Sequence, residues 1–134
     1  MSKHKYLWHD HVLRYLMDEK GFVTSIDMRS PDEYPVRFVL FDTMKHLQKA
    51  NDIKEKDAIG QCLQPKKKDS KHCLGMILLC LDKIGVGIVT HELFHLGEHL
   101  QRIGWDSEKI ADTLQVIAVQ FWNWFYAEFE REPA

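Results

Sequence analysis

No stretch of this sequence stays apolar for the twenty or so residues that a membrane-spanning helix needs. The greasiest window, Cys73 to Val89, is interrupted by Asp82, Lys83, Gly85 and Gly87. The basic start, Met1-Ser2-Lys3-His4-Lys5, leads into no uninterrupted apolar segment, so a signal peptide is not expected. Cysteine is scarce. Cys62, Cys73 and Cys80 form an odd set without framework spacing, which argues against a disulfide scaffold and suits a reducing, cytoplasmic compartment. If Cys73 to Cys80 is a strand, its end sulfurs lie roughly 23 Å apart at ~3.3 Å per residue, too far to share a metal. An excess of positive charge is missing too. The net charge of −2 gives no electrostatic basis for general binding to nucleic acid or to a membrane surface. The Lys66-Lys67-Lys68 run, between Pro65 and Asp69-Ser70, reads as a solvated loop. Repeats and low-complexity segments are absent.

What is present suits one globular domain over residues 1–134, with enough apolar residues (45%) to bury a core unaided. The first helix is expected over about Lys5 to Glu19, within an amino-terminal segment 1–21 that Gly21 ends. Ser30-Pro31-Asp32-Glu33 is a turn cluster. Val36 to Phe41 has strand character, and Asp42 or Thr43 can cap a helix over Met44 to Ala50. Asn51 to Asp57 is polar and irregular. Ala58 to Leu63 reads as a short strand, Pro65 to Lys71 as a loop, and His72 to Leu81 as a buried strand. The sheet and the helix after it occupy 36–104. A last helix over 107–130 is capped by Asp106 or Ser107, with Glu108 in its first turn. The aromatic run Phe121-Trp122-Asn123-Trp124-Phe125-Tyr126 is expected to pack on the other helices, and two greasy faces leave room for a homodimer.

Within the helix that ends near Gly104 stands His91-Glu92-Leu93-Phe94-His95, an H-E-x-x-H sequence. Four residues make slightly more than one turn, so His91 and His95 share a face. Val89, Leu93, Leu96, Leu100 and Ile103 form the opposite, apolar stripe. Two imidazoles so placed can grip one Zn²⁺, and Glu92 can take a proton from a zinc-bound water as general base. A catalytic zinc also needs a third protein ligand. His99 is eight residues from His91, roughly 12 Å along the axis at ~1.5 Å per residue, and cannot reach the same ion. The spacing that would continue to a third His through a glycine turn is absent, because those positions hold Glu98 and Gln101. Glu108 and Asp112 remain. They share a helix face beyond the Gly104-Trp105 reversal, so one could bind metal while the other orients a His.

His91-Glu92-x-x-His95 followed by Glu108-x-x-x-Asp112 resembles the gluzincin pattern, and the setting resembles small bacterial and phage ImmA/IrrE-like zinc metallopeptidases. The resemblance implies that Glu108 is the third ligand, that Asp112 supports a His from the second shell, and that the cofactor is Zn²⁺. It also implies an edge strand before the metal helix, matched to Gly75 to Leu79, along which a substrate peptide would lie. The expected fold is α+β: a minimal zincin-like domain with a small, mostly antiparallel sheet of about three strands on the H-E-x-x-H helix, and helices at both ends. The expected activity is peptide-bond hydrolysis, with His99, Arg102 or Tyr126 as candidate oxyanion donors. The expected partner is a protein or peptide substrate such as a transcriptional regulator. The competing expectation is a zinc-binding adaptor on the same fold that cuts nothing.

Overall fold

The computed structural model describes residues 8–50, 60–70 and 72–129. Helix α1 (Trp8–Met17) is followed by strands β1 (Phe22–Arg29) and β2 (Pro35–Phe41), helix α2 (Met44–Ala50) and strand β3 (Gly60–Leu63). A short 3-10 turn (Lys67–Asp69) precedes β4 (Gly75–Cys80), and α3 (Val86–Arg102) and α4 (Ser107–Phe129) complete the chain. The class is α+β, with a single four-stranded mixed sheet in the order β1-β2-β4-β3. The pairs β1–β2 and β3–β4 are antiparallel, and the central pair β2–β4 is parallel.

Burial explains that order. All six residues of β4 are buried, as are Val36 and Phe38 to Phe41 of β2. Strands so apolar need cover on both faces, which is the setting of parallel pairs. On one face Val36, Phe38 and Leu40 of β2 and Ile77 and Leu79 of β4 meet Val89, Leu93, Leu96 and Leu100 of α3 and Ile117, Phe121 and Phe125 of α4. On the other, Val39, Phe41, Met76, Leu78 and Cys80 meet Leu16 of α1 and Leu47 and Ala50 of α2. Phe38 and Phe121 stack with ring centroids 4.3 Å apart. Removing a ring from such a core costs about 3–5 kcal/mol.

Local chemistry sets the ends of the elements. Thr43 caps α2 through its Oγ1, which accepts from the backbone N of His46 at 3.3 Å. Asp106 caps α4, its Oδ1 accepting from the backbone N of Lys109 at 2.9 Å. At the end of α3, Gly104 has φ +102, Trp105 N donates to Leu100 O and Gly104 N donates to Gln101 O. This Schellman closure fixes the reversal between α3 and α4. At the end of β1, Gln120 of α4 donates from Nε2 to the carbonyl of Arg29 at 2.7 Å and accepts from its N–H at 3.0 Å.

Two expectations need correction. The sheet has a fourth strand, β1, beyond the three expected; it pairs with β2 and carries alternating residues Phe22, Thr24, Ile26 and Met28 before the 30–34 turn. The segment Gly75 to Leu79 is not an edge strand, because its backbone pairs with β2 on one side and with β3 on the other. The strand at that end of the sheet is β3, which carries Gln61, Cys62 and Leu63 at intermediate exposure. The irregular segment expected at Asn51 to Asp57, the start of the strand expected from Ala58, and the first residues of the helix expected from Lys5 lie outside the described residues.

In α4, Phe121 and Phe125 are fully buried and Trp122 and Trp124 pack against the core, so most of the aromatic run is interior. Val119 and Tyr126 are exposed. No helix among the described residues is long and apolar enough to cross a membrane.

Candidate metal centre

Helix α3 lies on the sheet through Val89, Leu93, Leu96 and Leu100, and that contact turns its two flanks in different directions. One flank meets α4: a Cβ on Gly97 would stand 3.1 Å from Leu114 Cδ1 and 3.5 Å from Ile110 Cγ2, so the missing side chain lets the helices close up. The other flank meets β3 and the loop after it. There Gln64 donates from Nε2 to the carbonyl of His95 at 3.0 Å, and Arg102 donates to Gln64 Oε1 at 2.8 Å.

His91 and His95 are brought together. Their Nε2 atoms are 3.2 Å apart, with the rings edge to face and centroids 4.8 Å apart. Two nitrogens each about 2.05 Å from one tetrahedral Zn²⁺ would be separated by about 3.3 Å, so this spacing fits a shared ion. The other nitrogen of His95, Nδ1, lies 2.9 Å from Glu98 Oε1. A carboxylate in this place accepts from Nδ1–H, the tautomer that leaves the Nε2 lone pair for a metal. A carboxylate behind a ligating imidazole is the usual device for fixing ring orientation and basicity.

Glu92 points to the β3 side and is only 4% exposed. Its Oε2 would be 3.2 Å from a Cβ on Gly60, and Ile88 Cγ2 equally close, so the first residue of β3 is a glycine where this carboxylate approaches the strand. Burial raises the Glu92 carboxyl above the usual range, and the neighbouring His91 and His95 act in the opposite direction. Cys62 shares this side. Burial first, and Glu92 next, push its thiol up to about 12, which keeps it protonated.

The candidates for the third ligand are placed elsewhere. Glu108 and Asp112 are exposed, and each lies about 200° around α4 from Ile110, the residue that meets Gly97. Gly97 is itself about 200° around α3 from His95. Helix α4 therefore flanks α3 on the side away from the imidazoles, and neither carboxylate joins them. Among the described residues no three His, Cys, Asp or Glu side chains stand close enough together to hold a metal. His99 is buried with Nε2 3.3 Å from Ser70 Oγ, and burial lowers its pKa, with Arg102 adding to the effect. Tyr126 is exposed on the last turns of α4.

Three residues at this site escape the motif. Glu98 is legible as an (i, i+3) partner of His95. Gln64 and Gly60 carry no local signal, because only the packing of β3 on α3 brings them in. Compared with protein families, curated proteins and solved structures, the chain matches none.

Proposed function

We propose that the chain is a zinc-dependent metallopeptidase of minimal zincin-like build, in which His91 and His95 hold the ion and Glu92 is the general base. The observation that carries this reading is the 3.2 Å approach of the two Nε2 atoms, beside a buried carboxylate of raised basicity. The bound ion would supply polarisation of a carbonyl and an acidified water. Glu98 holds the proton of His95 on Nδ1, which keeps Nε2 free to donate its lone pair. Glu92 accepts a proton on its carboxylate and returns it to the leaving amine, a role that suits a carboxyl whose pKa is lifted by burial. A peptide substrate, such as a segment of a cytoplasmic transcriptional regulator, would lie along β3, where main-chain hydrogen bonds can add a strand.

Glu108 and Asp112 belong to this reading only through the resemblance to gluzincins, and the packing of α4 does not favour them. A second reading, a zinc-binding adaptor that cuts nothing, is favoured by one observation: Glu92 is covered by β3, which restricts its access to substrate. Zinc content and turnover of unfolded or repressor-like proteins, compared between the native chain and Glu92→Gln, test both. Zinc with Glu92-dependent cleavage is the expected result, zinc without cleavage supports the adaptor, and a chain that takes up no zinc overturns both.

A further inference from the structure

A second concave site lies where the end of α3, the start of α4, the β1–β2 turn and the 3-10 turn converge. It offers about 190 Å³ of space, open to solvent on one side, and is lined by Tyr34, Lys67, Ser70, Ile103, Trp105 and Lys109. None of these residues takes part in the His91–His95 centre.

Each wall is held by backbone bonds. Tyr34 is pinned to Ser30 twice, its N–H donating to Ser30 Oγ at 3.0 Å and its carbonyl accepting from Ser30 N at 2.9 Å. Trp105 is the residue whose N–H closes the Schellman turn, and Lys109 follows the Asp106 cap. Ser70 ends the 3-10 turn and is only 5% exposed. Its hydroxyl lies 3.3 Å from both Lys66 O and His99 Nε2. A half-buried tryptophan on a reversal, facing a tyrosine at 6.0 Å, is a rigid apolar wall rather than loop filler.

The chemistry of the lining selects a ligand. Tyr34, Trp105 and the Ile103 side chain offer an apolar wall for a planar body. Lys67 and Lys109 add two positive charges, and Tyr34 adds a hydroxyl that can donate to oxygen. Lys109 already shows this preference within the chain: its Nζ lies 4.0 Å over the Trp105 ring and 3.5 Å from the exposed carboxylate of Asp32. A cavity of ~150 Å³ accommodates a benzene ring, so this one has room for a ring and a carboxylate. We propose that the pocket binds a small aromatic carboxylate, with its ring against the wall formed by Tyr34, Ile103 and Trp105 and its carboxylate on Lys67 and Lys109, where it competes with Asp32.

Benzoate is the probe, and benzamide, nearly its isostere but neutral, is the control. The full-length chain is labelled with 5-fluorotryptophan, the Trp105 resonance is assigned by Trp105→Phe, and the fluorine spectrum is followed during titration. Benzoate should shift the Trp105 signal saturably, with a dissociation constant in the millimolar range or tighter, and benzamide should bind at least about tenfold more weakly. Lys67→Gln should weaken benzoate severalfold. Asp32→Asn, which removes the internal competitor, should tighten benzoate and leave benzamide unchanged. Both substitutions are at exposed positions, and the native spectrum of the other tryptophans reports that the fold is kept. The absence of a saturable shift at Trp105, equal affinity for benzoate and benzamide, or a benzoate affinity indifferent to Lys67→Gln and Asp32→Asn would each overturn the assignment.

Discussion

His95 and Glu98 form a pair along one turn of α3 in which Nδ1 faces the carboxylate at 2.9 Å while Nε2 faces His91. Half-exposed side-chain contacts of this kind contribute little to stability, on the order of 0–1 kcal/mol. Their value lies in fixing which nitrogen carries the proton. Glu98→Ala should therefore leave the fold intact and lower zinc affinity by about 10–100-fold, with Glu98→Gln intermediate, as read by competition with a chelating dye. Equal affinity in all three proteins would show that Glu98 does not orient the ring.

Removing a ligand should act differently from removing its support. His91→Ala and His95→Ala should each abolish the binding of about one zinc per chain, and with it the rise in melting temperature that zinc gives the native protein. Metal analysis after gel filtration reads the first effect and calorimetry the second. A native chain that stays metal-free after zinc is supplied would remove the metal centre altogether.

The third donor can be decided by one comparison. Because α4 flanks α3 on the side away from the imidazoles, Glu108→Ala and Asp112→Ala are each expected to keep zinc affinity within about tenfold of native, below the usual effect of a lost ligand. If Glu108→Ala instead empties the site, α4 must turn on binding, and the gluzincin assignment holds for that state.

Gly60 and Glu92 give a test of the base that does not touch its carboxylate. A methyl on Gly60 would be 3.2 Å from Glu92 Oε2 and from Ile88 Cγ2. Gly60→Ala should displace the Glu92 carboxylate and reduce turnover, with zinc stoichiometry unchanged and stability lowered by about 1–3 kcal/mol. Unaltered turnover would mean that Glu92 does not work from this position.

His99 gives the chain a pH dependence of known sign. Burial, with Arg102 adding, holds its folded pKa below the unfolded value of about 6.5. Between those two values the unfolded chain binds a proton that the folded chain refuses. Stability is therefore full above about pH 6.5 and falls as pH drops toward the folded value. Urea midpoints measured from pH 7.5 to 5 should decline for the native chain, and the decline should be smaller in His99→Gln.

The elements that the sequence revealed are those whose signals are local. The H-E-x-x-H pair, the Thr43 and Asp106 caps, the apolar run of β2 and the glycine stop at Gly104 all depend on residues within one or two turns of each other. Strand β1 does carry a local signal, since Ser25, Asp27 and Arg29 alternate with Thr24, Ile26 and Met28, but the alternation is short and its stability comes from pairing with β2. The misplacement of the edge has a different cause. An apolar run such as Gly75 to Cys80 shows that a strand is buried on both faces, but strand order depends on how distant segments pair. The same limit governs the metal centre. Spacing reveals the two imidazoles, whereas the direction of Glu108 depends on which flank of α3 receives α4, and that is set by the absent side chain at Gly97.

The two bonds between Gln120 and the backbone of Arg29 bear on how this protein behaves at high concentration. An outer strand presents unpaired N–H and C=O groups to any other extended chain, and proteins that leave such a border open tend to polymerise through it. The carboxamide of Gln120 supplies one donor and one acceptor at the end of β1, and so imitates a single peptide unit of a fifth strand. An incoming copy would have to displace that amide before it could register with Arg29. A side chain from α4, rather than a charge or a proline within the strand, thus blunts this border of the sheet against sheet-to-sheet growth.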